Sequence, residues 1–242
     1  MIYRISETTS TNDDARSASY RHGDILWAER QTAGRGQRGH RWTSGEGMNL
    51  TFSLVWEPRF LAVQDQFSLL QAAALGLTDA FAGLGVDCRI KWTNDIYVAD
   101  RKLVGILIEH TLSGARLARS VVGIGINVNQ VDFDPSLPNP TSLARETGRE
   151  FDRGAVLERA ACALNERYRQ LEQGETDRLR ADYRHRIYRL DTPQRFRVPA
   201  TGEEFTGVIR DVAPSGELIV EHPDGRRCGY LFRQIEFIVA GR

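Results

Sequence analysis

The chain is poor in the features that hold or anchor a protein by anything other than a packed core. Its three cysteines, Cys88, Cys162 and Cys228, are isolated and form no CxxC pair. That excludes a disulfide framework and a zinc ribbon, and it suits a reducing compartment. No apolar run reaches the roughly 18 residues of a membrane span, and no basic-then-apolar leader opens the sequence. The expectation is therefore a soluble, unexported, cytoplasmic protein with no membrane partner. The five histidines (His22, His40, His110, His185, His222) show no HExxH or paired spacing, so no metal site is expected from them. Charge of one sign is also lacking: 32 Lys plus Arg balance 32 Asp plus Glu. A general nucleic-acid-binding face, which needs a basic excess, is not expected. There is no GxxxxGK[ST] phosphate loop, no kinase-type HRD or DFG set, and no internal repeat.

What remains is 242 residues, 41% apolar and 26% charged, enough for one large domain or a large and a small one. The most informative stretch is Gln31–Thr32–Ala33–Gly34–Arg35–Gly36–Gln37–Arg38–Gly39–His40–Arg41–Trp42. A glycine backbone can approach an anion closely, and interleaved guanidinium groups can neutralise it from several sides. Crowded like charges with little to bury leave such a loop poorly ordered alone, so it reads as a lid that closes on a phosphate. The spacing Gly34-x-Gly36-x-x-Gly39 also fits a dinucleotide-binding turn. That turn must open a helix, whereas Met48–Trp56 alternates apolar and polar residues as a strand does.

The pattern predicts a strand over Ile2–Ile5, and a helix that Thr8–Asp14 opens and that runs to about Tyr20. Strands follow at Asp24–Glu29 and Met48–Trp56, then a core-packing helix over Phe67–Leu84. Cys88–Trp92, Ile96–Val98, Leu103–Thr111 and Arg116–Val128 read as further strands, and helical sequence fills Gly154–Leu171 and continues to about Tyr188. Glycines at 123 and 125 inside a strand mark a place where a ligand or another backbone comes close. After Asp191 short β segments (Gln194–Val198, Glu204–Asp211, Glu217–Glu221, Arg227–Phe232) alternate with turns and predict a separate small barrel. Lys91 sits between Ile90 and Trp92 on a buried strand end, where a lysine either pairs with a structural carboxylate or meets an anionic ligand. Ser10–Thr11–Asn12 reads as a plain helix cap on its own spacing. Trp56 and Trp92 read as core, Asn94 and Asp95 as a turn, and Lys102 as a solvated loop charge. Glu109 is open to a structural role.

Five segments in order, Ser10–Asn12, Gln31–Trp42, Lys91–Trp92–x–Asn94–Asp95, Arg101–Lys102–Leu103–x–Gly105–Ile106–Leu107–x–Glu109 and Gly123–Ile124–Gly125–Ile126–Asn127–Val128–Asn129, together resemble biotin protein ligase. The resemblance covers the chain to about Asn129, and the small C-terminal unit, with Gly207-x-Ile209 and Gly216–Glu217–Leu218, is similar to that family's closing domain. It implies an α+β fold: a mixed, mainly antiparallel sheet flanked by helices over residues 1–189, and a small SH3-like β-barrel over 190–242. It implies activation of biotin with ATP and Mg2+ to biotinyl-5'-AMP, then transfer to a lysine of a biotin carboxyl carrier protein such as that of acetyl-CoA carboxylase.

On this resemblance Ser10, Thr11, Asn12, Gln31, Gly105, Gly123 and Gly125 bind biotin. Gly34, Arg35, Gly36, Gln37, Arg38, Trp42, Lys91 and Asn127 bind ATP and the adenylate. Lys91 and Arg35 are catalytic, and Trp42 offers a stacking face to adenine. Three positions depart from the family pattern: Gln37 and His40 stand where arginine is usual, and Thr93 replaces a proline. Many relatives carry an N-terminal DNA-binding domain; this chain opens directly in the first strand, so a monofunctional ligase without DNA binding is expected. A homodimer stays open. The rival readings are a lipoate ligase or octanoyl transferase of the same superfamily, and a non-catalytic vitamin-binding regulator.

Overall fold

The computed structural model describes residues 1–37 and 41–238. Seven strands form the larger sheet: β1 (Ile2–Thr8), β2 (Ile25–Gln31), β3 (Leu50–Trp56), β4 (Arg89–Lys91), β5 (Asp95–Val98), β6 (Arg101–Ser113) and β7 (Arg116–Ile126). Their order is β1-β2-β3-β7-β6-β5-β4. Only β1 and β2 run parallel, and every other neighbouring pair is antiparallel. The sheet is thus mixed and mainly antiparallel, as the resemblance implies.

Alternation along β3 sorts the sheet into two unlike faces. Leu50, Phe52, Leu54 and Trp56 enter the main core with Val122, Ile124 and Ile126 of β7 and Val104 and Ile106 of β6. Helices pack against it, chiefly α2 (Gln66–Ala82), α4 (Arg153–Glu172) and α5 (Thr176–His185). The intervening residues Thr51, Ser53, Gly123, Gly125 and Gly105 lie on the opposite face. Their register sets Ser53 beside Gly123, Thr51 beside Gly125, and Gly125 beside Gly105. A one-residue slip would exchange the two faces, so register alone decides where the site lies.

The helix α1 (Thr11–Asp14) lies on this second face and is far shorter than the sequence suggests. It stops at Ala15 because Arg119 of β7 supplies donors to the released carbonyls. Its guanidinium bonds Ala15 O at 2.9 Å, Ser17 O at 3.0 Å and Tyr20 O at 3.0 Å. A tertiary arginine thus satisfies backbone groups that another helical turn would have used. The proline-rich crossover after β7 contains a helix that the sequence reading lacks, α3 (Leu143–Thr147). Ser142 caps it by accepting from Arg145 N at 3.2 Å, and Gly148 closes it with φ 72°.

Beyond α5 a second sheet comprises β8 (Pro193–Arg197), β9 (Glu204–Val212), β10 (Leu218–Glu221), β11 (Arg227–Tyr230) and β12 (Glu236–Phe237). It is antiparallel throughout, in the order β11-β10-β9-β8-β12. Of the barrel expectation, this sheet is what the structure shows. The main core continues into it through Phe196, Ile209, Val212, Leu218 and Val220. Trp92, after β4, ties the two sheets together: its Nε1 donates to Gly216 O at 2.9 Å and its ring meets Phe232 edge-on.

Candidate active site

The glycine face of the large sheet floors a cavity of about 310 Å³. Close approach explains the absence of side chains on that floor. A Cβ at Gly123 would lie 2.2 Å from Asn12 Oδ1, and one at Gly125 would lie 2.2 Å from Trp42 Cε2. At Gly105 the nearest atom would be Trp42 Cζ3, at 3.0 Å. Asn12 thus approaches Gly123, and the Trp42 indole lies against Gly105 and Gly125, the three glycines that the resemblance assigns to biotin.

One wall is polar. Thr11 donates from its backbone N to Gln31 Oε1 at 2.7 Å, and from its hydroxyl to the same oxygen at 3.1 Å. Ser53 Oγ lies 2.7 Å from Thr11 Oγ1 and 2.6 Å from Asn12 Oδ1. Asn12 Nδ2 donates to Glu109 Oε2 at 2.8 Å. Ser10, Thr11 and Asn12 are buried, and Ser10 makes no side-chain capping bond to α1. Ser10 takes the N-cap position that the plain-cap reading gives it, but without a side-chain bond, and the side chains of Thr11 and Asn12 bond into the site instead. Ser10, Thr11, Asn12 and Gln31 all line the cavity. Ser53, which joins Thr11 to Asn12, carries no motif that would single it out among the serines of the sequence.

The arginine–glycine loop forms a second wall. Gly34 is buried outside the cavity lining, where its carbonyl accepts from Trp42 N at 3.0 Å. Arg35, Gly36, Gln37, Arg41 and Trp42 line the cavity, while Arg38 and His40 lie outside the described residues. The Arg35 guanidinium binds Asp13 at 2.7 Å and Glu109 at 3.1 Å. Glu109 also takes Arg16 at 2.7 Å, so it is the carboxylate that joins α1, the loop and β6. Two buried polar atoms on the cavity side find no partner, Gln37 Oε1 and Trp42 Nε1. Such atoms are costly to bury unsatisfied, and a polar ligand is one way to satisfy them.

The far end is cationic. Lys91 closes β4 and places Nζ 5.1 Å from the Tyr97 ring centre and 4.9 Å from that of Phe237 on the second sheet. Two residues along, Thr93 O accepts from the buried Tyr183 hydroxyl at 3.4 Å, and burial pushes that phenol well above the usual range. Lys102, read from sequence as a solvated charge, instead lines the cavity. It pairs with Asp95 at 2.8 Å, and its Nζ lies 5.9 Å from the Trp42 ring centre. Asn94 anchors its turn by donating from Nδ2 to Ile106 O at 2.6 Å. Asn127 is set apart: buried, it donates to Thr141 O at 2.8 Å and is not among the cavity-lining residues. Phe232 brings the second sheet into the lining. An aromatic residue just past a short strand gave no sequence signal of that placement.

The arrangement is a sheet-floored cavity, polar at one end and cationic at the other, beneath an arginine–glycine loop. The model of the biotin/lipoate A/B protein ligase family matches residues 1–127. The biotin–[acetyl-CoA-carboxylase] ligase of Paracoccus denitrificans is 32% identical over 239 residues, covering 92% of this chain and 95% of that protein. The bifunctional ligase/repressor BirA of Bacillus spizizenii is 36% identical over 175 residues, 70% of this chain and 54% of that protein. A solved structure of the biotin protein ligase from Aquifex aeolicus, in complex with biotin and ATP, matches with a TM-score of 0.83 at 25% identity over 98% of both chains. The chain belongs to the biotin/lipoate A/B protein ligase family. It spans about half the length of the first curated relatives it matches.

Proposed function

We propose that this chain activates biotin with MgATP to biotinyl-5'-AMP and passes the biotin to one lysine of a biotin carboxyl carrier domain. The observation that carries the reading is the polarity of a single cavity. Hydroxyl and carboxamide groups gather at one end and two ammonium groups at the other, over a floor cleared by glycine. An apolar bicycle with a ureido head suits the first end, where Thr11, Asn12 and Gln31 offer fixed partners. The adenylate phosphate suits the second. The cavity carboxylate Asp95, and Glu109 and Asp13 beside Arg35, are each held by a lysine or an arginine. Magnesium in this reading therefore arrives on the triphosphate and keeps its phosphate and water ligands.

The biotin carboxylate oxygen attacks the α-phosphorus and pyrophosphate leaves. Lys91 stabilises charge that grows on the phosphoryl oxygens, and Arg35 exchanges its carboxylates for phosphate. The carrier amine then attacks the anhydride carbonyl. An amide forms, AMP leaves, and the amine proton passes to water. The loop excludes water from the anhydride in the interval. We assign residues 1–189 to the ligase unit and 190–242 to a closing unit that supplies Phe232 and the ring beneath Lys91. The free cysteines suit a cytoplasmic setting. Among the described residues no helix is long and apolar enough to cross a membrane.

Incubation with ATP and inorganic pyrophosphatase tests the reading. Phosphate release with biotin, and one biotin added to a carrier domain by intact mass, are expected. Release with lipoate or octanoate in place of biotin would move the chain to the other branch of its family. Tight biotin binding with no pyrophosphate released would make it a regulator.

A further inference from the structure

The activated ester proposed above reacts with amines, and this chain offers it almost none. Of its 32 Lys plus Arg residues only Lys91 and Lys102 are lysine; every other one is arginine. Both lysines line the cavity. Arginine supplies the same surface charge but keeps its proton at any physiological pH, so it does not attack a mixed anhydride. A solvated lysine is neutral in about one molecule in a thousand near pH 7. That fraction is enough to be acylated slowly by an ester generated beside it.

We propose that the arginine-for-lysine exterior is a specificity device, which leaves the activated biotin no competent lysine on the enzyme and reserves it for the carrier lysine. The inference rests on the ligase reading. The two lysines that remain are held in contacts that only the ammonium form makes. Lys102 is ion-paired with Asp95 at 2.8 Å. Lys91 lies over the Tyr97 and Phe237 rings, at 5.1 and 4.9 Å from their centres. An amine must give up those contacts before its lone pair is available. Around the mouth the basic groups are arginines: Arg16 on Glu109, Arg41 on the cavity rim, and Arg233 beside Phe232. Gln37 sharpens the need for such a device. It places a neutral carboxamide on the cavity wall, and a charge-assisted bond to phosphate is roughly twice as strong as a neutral one.

The balance of the avoided side reaction is simple. A surface amine would form an amide with the biotin carbonyl, break the carbonyl–oxygen bond to AMP, and release a proton to water. The full chain is incubated with biotin, MgATP and pyrophosphatase, with no carrier but with serum albumin as a lysine-rich bystander. It is then treated with hydroxylamine to remove esters and thioesters, and analysed by intact mass and peptide mapping. Pyrophosphate release and biotin on albumin are expected, with no biotin on a lysine of the enzyme. Arg233→Lys, near the mouth, and Arg169→Lys, on the exterior of α4, retain turnover and gain biotin at the new lysine, the first more than the second. Biotin on Lys91 or Lys102 of the native chain overturns the inference. So do unlabelled lysine variants alongside labelled albumin. Absence of pyrophosphate release strikes instead at the ligase reading beneath it.

Discussion

The two faces of the large sheet use the same three central strands for opposite purposes. On the helix side β3, β7 and β6 present Phe52, Leu54, Ile124, Val122 and Ile106, all buried in one core with α2 and α4. On the other side the same strands present Ser53, Thr51, Gly123, Gly125 and Gly105, and the cavity lies there. Apolar volume on the first face stabilises the fold, while its removal from the second makes room for chemistry. Stability and activity are therefore separable by face, although alternate residues of one strand serve both. The largest expected contrast follows directly. Leu54→Ala empties a fully buried position and costs about 2–5 kcal/mol of stability, with near-normal kcat/KM in the molecules that remain folded. Gly125→Ala places a methyl group where Trp42 lies and lowers kcat/KM for biotin by roughly hundredfold, about 3 kcal/mol, with a small change in stability. Denaturant melts and biotin-dependent pyrophosphate release, run on both variants, read the contrast. Equal stability losses would erase the distinction between the faces.

At the cationic end of the site face, Lys91→Ala removes a single ammonium group. Its loss lowers kcat for adenylate formation by about hundredfold, roughly 3 kcal/mol, with biotin binding little changed. Single-turnover adenylation beside biotin calorimetry separates the two terms. A proportionate loss of biotin affinity would make Lys91 part of the polar wall rather than of the chemistry. Gln37→Arg tests the loop with a smaller effect. A guanidinium in place of the carboxamide slows adenylate dissociation by about five- to tenfold, about 1 kcal/mol. Equal dissociation rates, followed by chase of labelled adenylate, would place residue 37 out of reach of the phosphate.

The same contrast explains how much was legible beforehand. Strand periodicity made both faces readable, because Ile124 and Ile126 alternate with Gly123 and Gly125 in a pattern that only a two-sided strand produces. The Lys91 turn and the arginine–glycine loop were legible for the same reason: an unusual residue type stood where a fold alone would not place it. Groups recruited from far along the chain were not. Arg119 ends α1 from a distant strand, so local propensity carried the expected helix on to Tyr20. Asp95 turns Lys102 into a cavity residue through the β5–β6 ladder, a partnership that no local spacing announces. Glu109 collects Asn12, Arg16 and Arg35 from two other elements, which fixes its role only once the sheet is built. Elements as short as α3 and β12 carry too few residues for a period to show.

The helix-side face also carries a polar pair, and it gives the smallest of these effects. His110 on β6 faces Ser120 on β7, with Nδ1 and Oγ 2.8 Å apart. Burial disfavours the imidazolium, so the folded-state pKa lies below the ordinary histidine value. As pH falls through about 6.5, the unfolded chain takes up a proton that the folded chain still refuses, which shifts the balance toward unfolding. The contribution of His110 is therefore fully present above that pH and is lost as the solution is acidified toward the folded-state pKa. His110→Asn removes the titration and keeps a polar partner for Ser120. Comparing urea melts of the two proteins between pH 7.5 and about 5 isolates the term. The native chain is expected to lose stability on acidification faster than the variant, while their pH–rate profiles for adenylation coincide, because His110 points away from the cavity. Parallel stability curves would mean that the imidazole is already solvated enough to accept its proton in place.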